Sequence, residues 1–134
     1  WSSDVCSSDL QFAKGGKPIE SQETFTATLD GHWLTMRHDD RPPYHFRALE
    51  LWGYDKGSQQ YTGYLFDNFS GARHFTSPGW LDDRLTWTDA ASAHGSKDRF
   101  VFERKGPHIY QVTYAVTHDG VTWSIGDTLL CRSE

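Results

Sequence analysis

The feature that most constrains the fold of this chain is a series of short segments in which apolar and polar residues alternate, each bounded by turn-forming residues. In residues 22–29, Phe25, Ala27 and Leu29 fall on one face and three threonines fall on the other. This period of two is that of a half-buried β-strand. No window repeats apolar residues at helical spacing, so the sequence predicts an all-β fold.

Turn chemistry separates these segments. Asp30-Gly31 supplies the positive φ angles of a two-residue hairpin, so the following segment is expected to return antiparallel to the first. Further Gly-, Pro- and Asp-containing turns divide the rest of the chain. The predicted strands are 22–29, 32–38, 44–54, 60–67, 73–76, 84–88, 99–104, 108–116 and 121–131.

About nine strands joined in series by local turns favour an antiparallel up-and-down β-barrel over a sandwich. A meander needs no long crossing connection, and closing it removes the exposed edges of a flat sheet. Aromatic residues make up 15% of the chain, which is enough to build one core. We therefore expect residues 11–134 to form a single barrel domain.

The first ten residues, WSSDVCSSDL, follow no structural period. They match the translation of TGG AGT TCA GAC GTG TGC TCT TCC GAT CT, a string that resembles a common sequencing-library adapter. We interpret residues 1–10 as adapter-derived sequence fused in frame to a truncated open reading frame. They are therefore expected to lie outside the natural domain. Deleting them is expected to leave the melting temperature nearly unchanged.

Charge and hydropathy narrow the range of partners. Excluding residues 1–10 removes Asp4 and Asp9 and moves the net charge from −5 to −3. A mildly acidic chain without a basic run does not suit nucleic-acid binding. No stretch approaches the roughly 20 apolar residues of a membrane-spanning helix. Localisation stays open, with a periplasmic or secreted protein as the working guess.

Five short motifs appear in order along the chain: DGHWL at 30–34, WGYD at 52–55, DN before Gly71 at 67–68, SPGW at 77–80 and CR at 131–132. Together they resemble a bacterial domain-of-unknown-function family of lipocalin-like (calycin) barrels, related in fold to the nitrobindins. The resemblance covers residues 15–134. It implies a barrel of about ten strands and no established activity.

The chain departs from this family at its beginning. The family's first strand, with a Gly-x-Trp and a following Cys, is not found, and residues 1–10 stand in its place. The resemblance implies a bridge from that missing strand to Cys131, so Cys131 is expected to be a lone thiol unless residues from about Val5 are recruited to the gap. The edges at 22–29 and 121–131 are expected to be open, which favours a homodimer through the open barrel edge.

Motifs for catalysis and metal binding are absent. There is no Gly-x-Ser-x-Gly elbow, phosphate-binding glycine loop or His-Glu-x-x-His, so the sequence favours a protein that is not an enzyme, with a hydrolase or isomerase using Glu50 or Asp67 as an alternative. The seven histidines lack metal-ligand spacing, and 38–40 (HDD) is interpreted as a surface turn. Nitrobindin-like barrels imply haem on a histidine near the C-terminus, but the last strand has none, and His108 could serve only if it faced inward. No metal or cofactor is therefore expected.

A binding barrel remains as the favoured function: a cup of aromatic and aliphatic side chains around a small apolar or amphipathic ligand. Glu50 falls on the same, largely apolar face of its predicted strand as Trp52. Its carboxylate therefore either lies inside the barrel with a polar partner, or that face lies outside in solvent. A filled core in a structural or interaction module of the cell envelope is the main alternative. The candidate pocket lining is Met36, Phe46, Glu50, Trp52, Tyr64, Trp87, Phe102, Tyr110, Tyr114 and Trp123.

Overall fold

A computed structural model describes residues 2–8, 18–69, 71–90 and 96–133 as eleven β-strands, with no helix in those ranges. Since that part of the chain holds no helix, it also holds none that could span a membrane. The strands are β1 (Ser2–Ser8), β2 (Glu20–Thr28), β3 (Trp33–Asp40), β4 (Arg47–Asp55), β5 (Gln60–Asp67), β6 (Gly71–Ser77), β7 (Trp80–Leu81), β8 (Arg84–Asp89), β9 (Lys97–Gly106), β10 (Ile109–Thr117) and β11 (Trp123–Ser133).

The strands pair antiparallel, and most pair with their neighbours in sequence. β1 pairs with both β2 and β11, which joins the two ends of the meander. β6 pairs with β8 through Phe75 opposite Asp89 and Thr76 opposite Thr88, and this short seam closes the ring. The two-residue β7 pairs with β8 alone and lies outside the ring, so ten strands form a closed up-and-down barrel.

The fold class predicted from the sequence is confirmed. Each of the nine predicted strands is present, and β5 has the predicted bounds, 60–67. The predicted strand 44–54 begins three residues later, at Arg47, and predicted strand 73–76 extends to Gly71–Ser77. Residues 91–95, between the predicted strands 84–88 and 99–104, lie outside the described residues.

The N-terminal segment differs most from its prediction. Ser2–Ser8 is a full strand in the barrel, so the edges of β2 and β11 that we expected to be open are both paired. Cys6 lies opposite Cys131 with a Cα–Cα distance of 4.0 Å, and the two form a disulfide. The lone thiol at Cys131 is therefore wrong, and the alternative, recruitment of residues around Val5 to the gap beside Cys131, is what the structure has. The adapter origin of residues 1–10 stays a prediction.

The turn between β2 and β3 also differs from its prediction. Thr28 pairs directly with Trp33, so the loop has four residues instead of two. Leu29, Asp30 and Gly31 adopt φ angles of 50°, 58° and 79° in succession. Gly31 tolerates this left-handed conformation because it lacks a Cβ, and the amide of Gly31 donates to the carbonyl of Thr28 at 3.2 Å. The Asp-Gly pair identified the turn but not its length.

The interior of the barrel has two different halves. One half is packed with apolar side chains around Phe75, which is 2% exposed. Trp52 pairs edge-on with Phe102, their ring centroids 5.1 Å apart. Glu23 and Asp67, by contrast, bury carboxylates inside the same barrel. This division between an aromatic half and a charged half positions the candidate site.

Candidate functional site

A cavity of about 580 Å³ occupies the aromatic half and opens at one end of the barrel. That end carries the turns β2–β3, β4–β5, β6–β7 and β9–β10, since Gly31, Tyr54, Gly79 and Pro107 all line the cavity. Cavities of 300–1,000 Å³ with mainly apolar walls are typical of small-molecule sites. The barrel is therefore filled at one end and hollow at the other.

The deep wall of the cavity is aromatic. Trp87 and Phe102 are 4% and 6% exposed and both line it, as do Trp52 and Tyr110. The Trp52 and Trp87 rings lie 5.2 Å apart at 42°, and Phe25 packs edge-on against Trp52 at 5.7 Å. These rings come from β2, β4, β8, β9 and β10, so barrel closure is what assembles the wall.

The mouth of the cavity combines exposed aromatic and cationic side chains. Tyr54 and Tyr61 stack edge to face at 5.1 Å, and both are more than two-fifths exposed. The Arg104 guanidinium lies 5.9 Å from the Trp80 ring centroid. His108 lies in the β9–β10 turn and lines the mouth from an exposed position.

The opposite half contains an ionic cluster centred on His38. Its Nε2 lies 2.8 Å from an oxygen of Asp40 and its Nδ1 lies 3.2 Å from Glu23. Burial by itself lowers the pKa of His38, but the hydrogen bonds to Asp40 and Glu23 outweigh burial and raise that pKa to about 10. His38 is thus an interior imidazolium on β3, and the predicted surface turn at 38–40 is wrong.

A second, partly buried cation lies on β6. Arg73 forms ion pairs with Asp98 and, at 3.5 Å, with Asp67, whose side chain has no solvent exposure. The Tyr114 hydroxyl donates to Asp98 at 3.2 Å. Each buried carboxylate of this group therefore has a cationic or hydroxyl partner, as buried charges require.

Glu50 lies between the two halves. It faces inward, opposite Met36 on β3 and Leu65 on β5, and it accepts a hydrogen bond from the Trp52 indole N–H at 3.3 Å. Burial raises the pKa of Glu50 to about 7. Of the two orientations that the sequence left open, the structure has the inward one.

The structure brings four of the ten predicted lining residues together around the cavity: Trp52, Trp87, Phe102 and Tyr110. Met36, Glu50 and Tyr114 lie inside the barrel but do not line the cavity. The remaining three do not line it either: Phe46 packs on His38 and Phe69, Tyr64 stacks on the ring of His74, and Trp123 lies under Arg99 at 4.1 Å.

Sequence reasoning missed the interior charges, although a signal for them exists. Glu23 lies on the same strand face as Phe25, and Arg73 lies on the same strand face as Phe75. A charged residue on the face of an aromatic one is the pattern that also identified Glu50. The mouth residues Trp33, Tyr54, Tyr61, Trp80 and Arg104 were also missed. They lie at or near strand ends, where the alternation of apolar and polar residues no longer indicates which side chains face inward.

Among the described residues, one group brings three metal-type ligand atoms within 4.8 Å of one another: Cys6, Glu23 and Cys131. Its two sulfur atoms are joined in the disulfide, so neither is a thiolate ligand. That no metal is bound stays a prediction.

No family model and no curated protein matches this chain. The closed antiparallel barrel is consistent with a lipocalin-like fold.

Proposed function

We propose that this protein binds a small, largely apolar organic molecule in the aromatic cavity, as a ligand-binding member of the lipocalin-like family that its motifs resemble. The observation that carries the proposal is the cavity of about 580 Å³ with buried indole and phenyl walls. Water in such a space gains few hydrogen bonds, so an apolar ligand that displaces it is favoured.

Two features support binding over a filled structural core. The residues of the deep wall come from five different strands and converge on one open space. The polar groups of the interior are gathered mostly in the other half, where they pair with one another. An enzyme using Glu50 or Asp67 has less support, because neither residue lines the cavity.

The test uses a panel of fatty acids, retinoids and polarity-sensitive dyes, with intrinsic tryptophan fluorescence as the readout. At least one class is expected to change the emission saturably, because Trp52 and Trp87 line the cavity. Native mass spectrometry of protein purified from a bacterial host is expected to show a retained ligand of the same class.

A matched pair of variants locates the binding. Ala27 lines the cavity, so Ala27→Phe is expected to weaken the best ligand about tenfold or more by filling its space. Ala72 is exposed on β6 and does not line the cavity, so Ala72→Phe is expected to leave affinity unchanged. Equal effects of the two variants, or no saturable ligand in the whole panel, would overturn the proposal.

A further inference from the structure

The indole N–H of Trp87 is a buried hydrogen-bond donor without an acceptor. Trp87 is 4% exposed and lines the cavity, and its Nε1 has no hydrogen-bond partner in the part of the chain that the structure describes. A buried donor left unpaired loses its hydrogen bond to water without replacement. Buried polar groups in proteins are satisfied in the great majority of cases, so this atom needs a partner from elsewhere.

The neighbouring indole shows what a satisfied donor looks like in the same wall. The Trp52 ring centroid lies 5.2 Å from that of Trp87, and the Trp52 N–H donates to Glu50 at 3.3 Å. Of two adjacent cavity-lining indoles, one has a protein acceptor and the other has none among the residues that the structure describes.

The orientation of Trp87 follows from its contact with β5. A Cβ built on Gly63 would lie 3.2 Å from Cζ3 and 3.3 Å from Cε3 of Trp87, so this edge of the indole packs against the backbone of β5. Nε1 lies across the ring from Cε3. The donor therefore does not face β5, and because Trp87 lines the cavity, we infer that its acceptor comes from there.

We propose that the cavity ligand carries a neutral hydrogen-bond acceptor, of the carbonyl class, that accepts from Trp87 Nε1 while the rest of the molecule packs on the aromatic wall. This inference rests on the proposed function and adds the chemistry of the recognised group. It also fixes the ligand's direction, with the acceptor inward and the remainder toward the mouth.

A neutral acceptor fits better than a carboxylate because the interior next to this wall already holds acidic groups. Glu50 bonds to the neighbouring indole, and burial raises the pKa of Glu50 to about 7, which reflects the cost of a negative charge there. The cation that could pair with an anionic ligand is Arg104, which lies at the mouth beside Trp80. It is therefore at the opposite end of the cavity from the Trp87 N–H.

The test compares two probes that differ in one group: the naphthyl ketone dye Prodan, and its analogue with the carbonyl replaced by methylene. Prodan is expected to bind the native protein about five- to tenfold more tightly, the range of one net hydrogen bond. In Trp87→Phe, which removes the N–H and keeps an aromatic ring, this advantage is expected to disappear. In Trp80→Phe at the mouth, it is expected to persist.

A measurement on the unsubstituted protein makes the test independent of how well Trp87→Phe folds. In protein with ¹⁵N-labelled tryptophan, Prodan is expected to move the Trp87 indole N–H resonance downfield, and the methylene analogue is not. Through-space and sequential NMR assignment of the native protein identifies the Trp87 resonance without any variant.

The outcomes separate the two proposals. If both probes bind equally well, or if Prodan binds without moving the Trp87 resonance, the acceptor inference is overturned and the proposed function stands. If neither probe binds and the wider panel also fails, both are overturned. A loss of the Prodan advantage in Trp80→Phe and not in Trp87→Phe would place the acceptor at the mouth and overturn the inference.

Discussion

His38 shows how a single side chain can tie together two strands and a loop residue inside the barrel. It lies on β3, and its two ring nitrogens reach Asp40 on the same strand and Glu23 on β2. Phe46, ahead of β4, packs edge-on against the imidazole at 5.5 Å. A neutral imidazole would leave the negative charges of two buried carboxylates without a cation beside them. The folded state therefore favours protonated His38.

This placement predicts a pH dependence of stability with a definite sign. Hydrogen bonds to Asp40 and Glu23 outweigh burial and raise the pKa of His38 from 6.5 to about 10 in the folded protein. The stabilisation is therefore fully present below pH 6.5 and is lost as the pH rises through about 10. The free energy of unfolding, measured by urea denaturation, should fall further across this range in the native protein than in His38→Gln, by at most about 5 kcal/mol at about 1.4 kcal/mol per pKa unit.

His108→Gln is the matched control because His108 is exposed in a turn and forms no ion pair with the residues that the structure describes. Its pH profile is expected to match that of the native protein. Parallel profiles for His38→Gln and the native protein would show that the His38 proton does not contribute to stability.

Strand assignment from the sequence was more reliable than assignment of the inward face, because several strands carry apolar residues on both faces. Tyr64 lies in the middle of β5, whose bounds were predicted, and it stacks on His74 instead of lining the cavity. Trp52, Trp87, Phe102 and Tyr110 lie within regular strands and line the cavity. Phe46 precedes β4 and packs on His38 in the charged half, away from the cavity, and alternation does not report a residue's position along the barrel axis. Interior charges such as His38 were discounted because charged residues favour surfaces, and only a partner on another strand reverses that preference.

At the scale of elements, β1 has a polar composition that does not favour a strand. Its sequence, SSDVCSS, is rich in serine, and its buried positions are Asp4, Cys6 and Ser8. What holds the segment is its context, because β2 and β11 present complementary edges on either side and Cys131 lies opposite Cys6. Pairing partners far away in sequence override local propensity, and no pattern within residues 1–10 reports them.

Deleting residues 1–8 is expected to lower the melting temperature by about 10 °C or more, contrary to the nearly unchanged value that the sequence alone suggested. The deletion removes pairing with two strands and a disulfide that closes a loop of 125 residues. Differential scanning calorimetry measures the change. Sedimentation of the deletion variant is expected to show dimers, because the edges of β2 and β11 become available.

Cys6→Ser separates the disulfide from the strand, since it keeps the backbone of β1. We expect it to be intermediate in stability and to keep the oligomeric state of the full chain. A deletion variant that melts within a couple of degrees of the full chain would mean that β1 contributes little to the folded state.

For the molecule as a whole, the short seam between β6 and β8 is the weakest part of the ring. It joins two residue pairs, whereas β9 and β10 pair along nearly their whole length. The sequence predicted a closed barrel but not this seam, because closure depends on the curvature of the whole sheet rather than on any one hairpin.

We therefore expect hydrogen exchange to begin at the seam. Backbone amides of Thr76 and Thr88 should exchange faster than those of Val112 and Phe102, and native-state exchange resolved by NMR measures both. A ligand that fills the cavity is expected to slow exchange at Trp87 on β8. Protection at the seam equal to that of β9 and β10 would contradict this ranking.

The charged half of the interior has a consequence for how stability varies with temperature. Unfolding exposes Glu23, His38, Asp67, Arg73 and Asp98 to water together with the aromatic wall. Hydration of apolar surface raises the heat capacity of the unfolded chain, and hydration of polar surface lowers it. The heat-capacity increment of this barrel is therefore smaller than that of an apolar-filled barrel of equal length, and its curve of stability against temperature is correspondingly flatter.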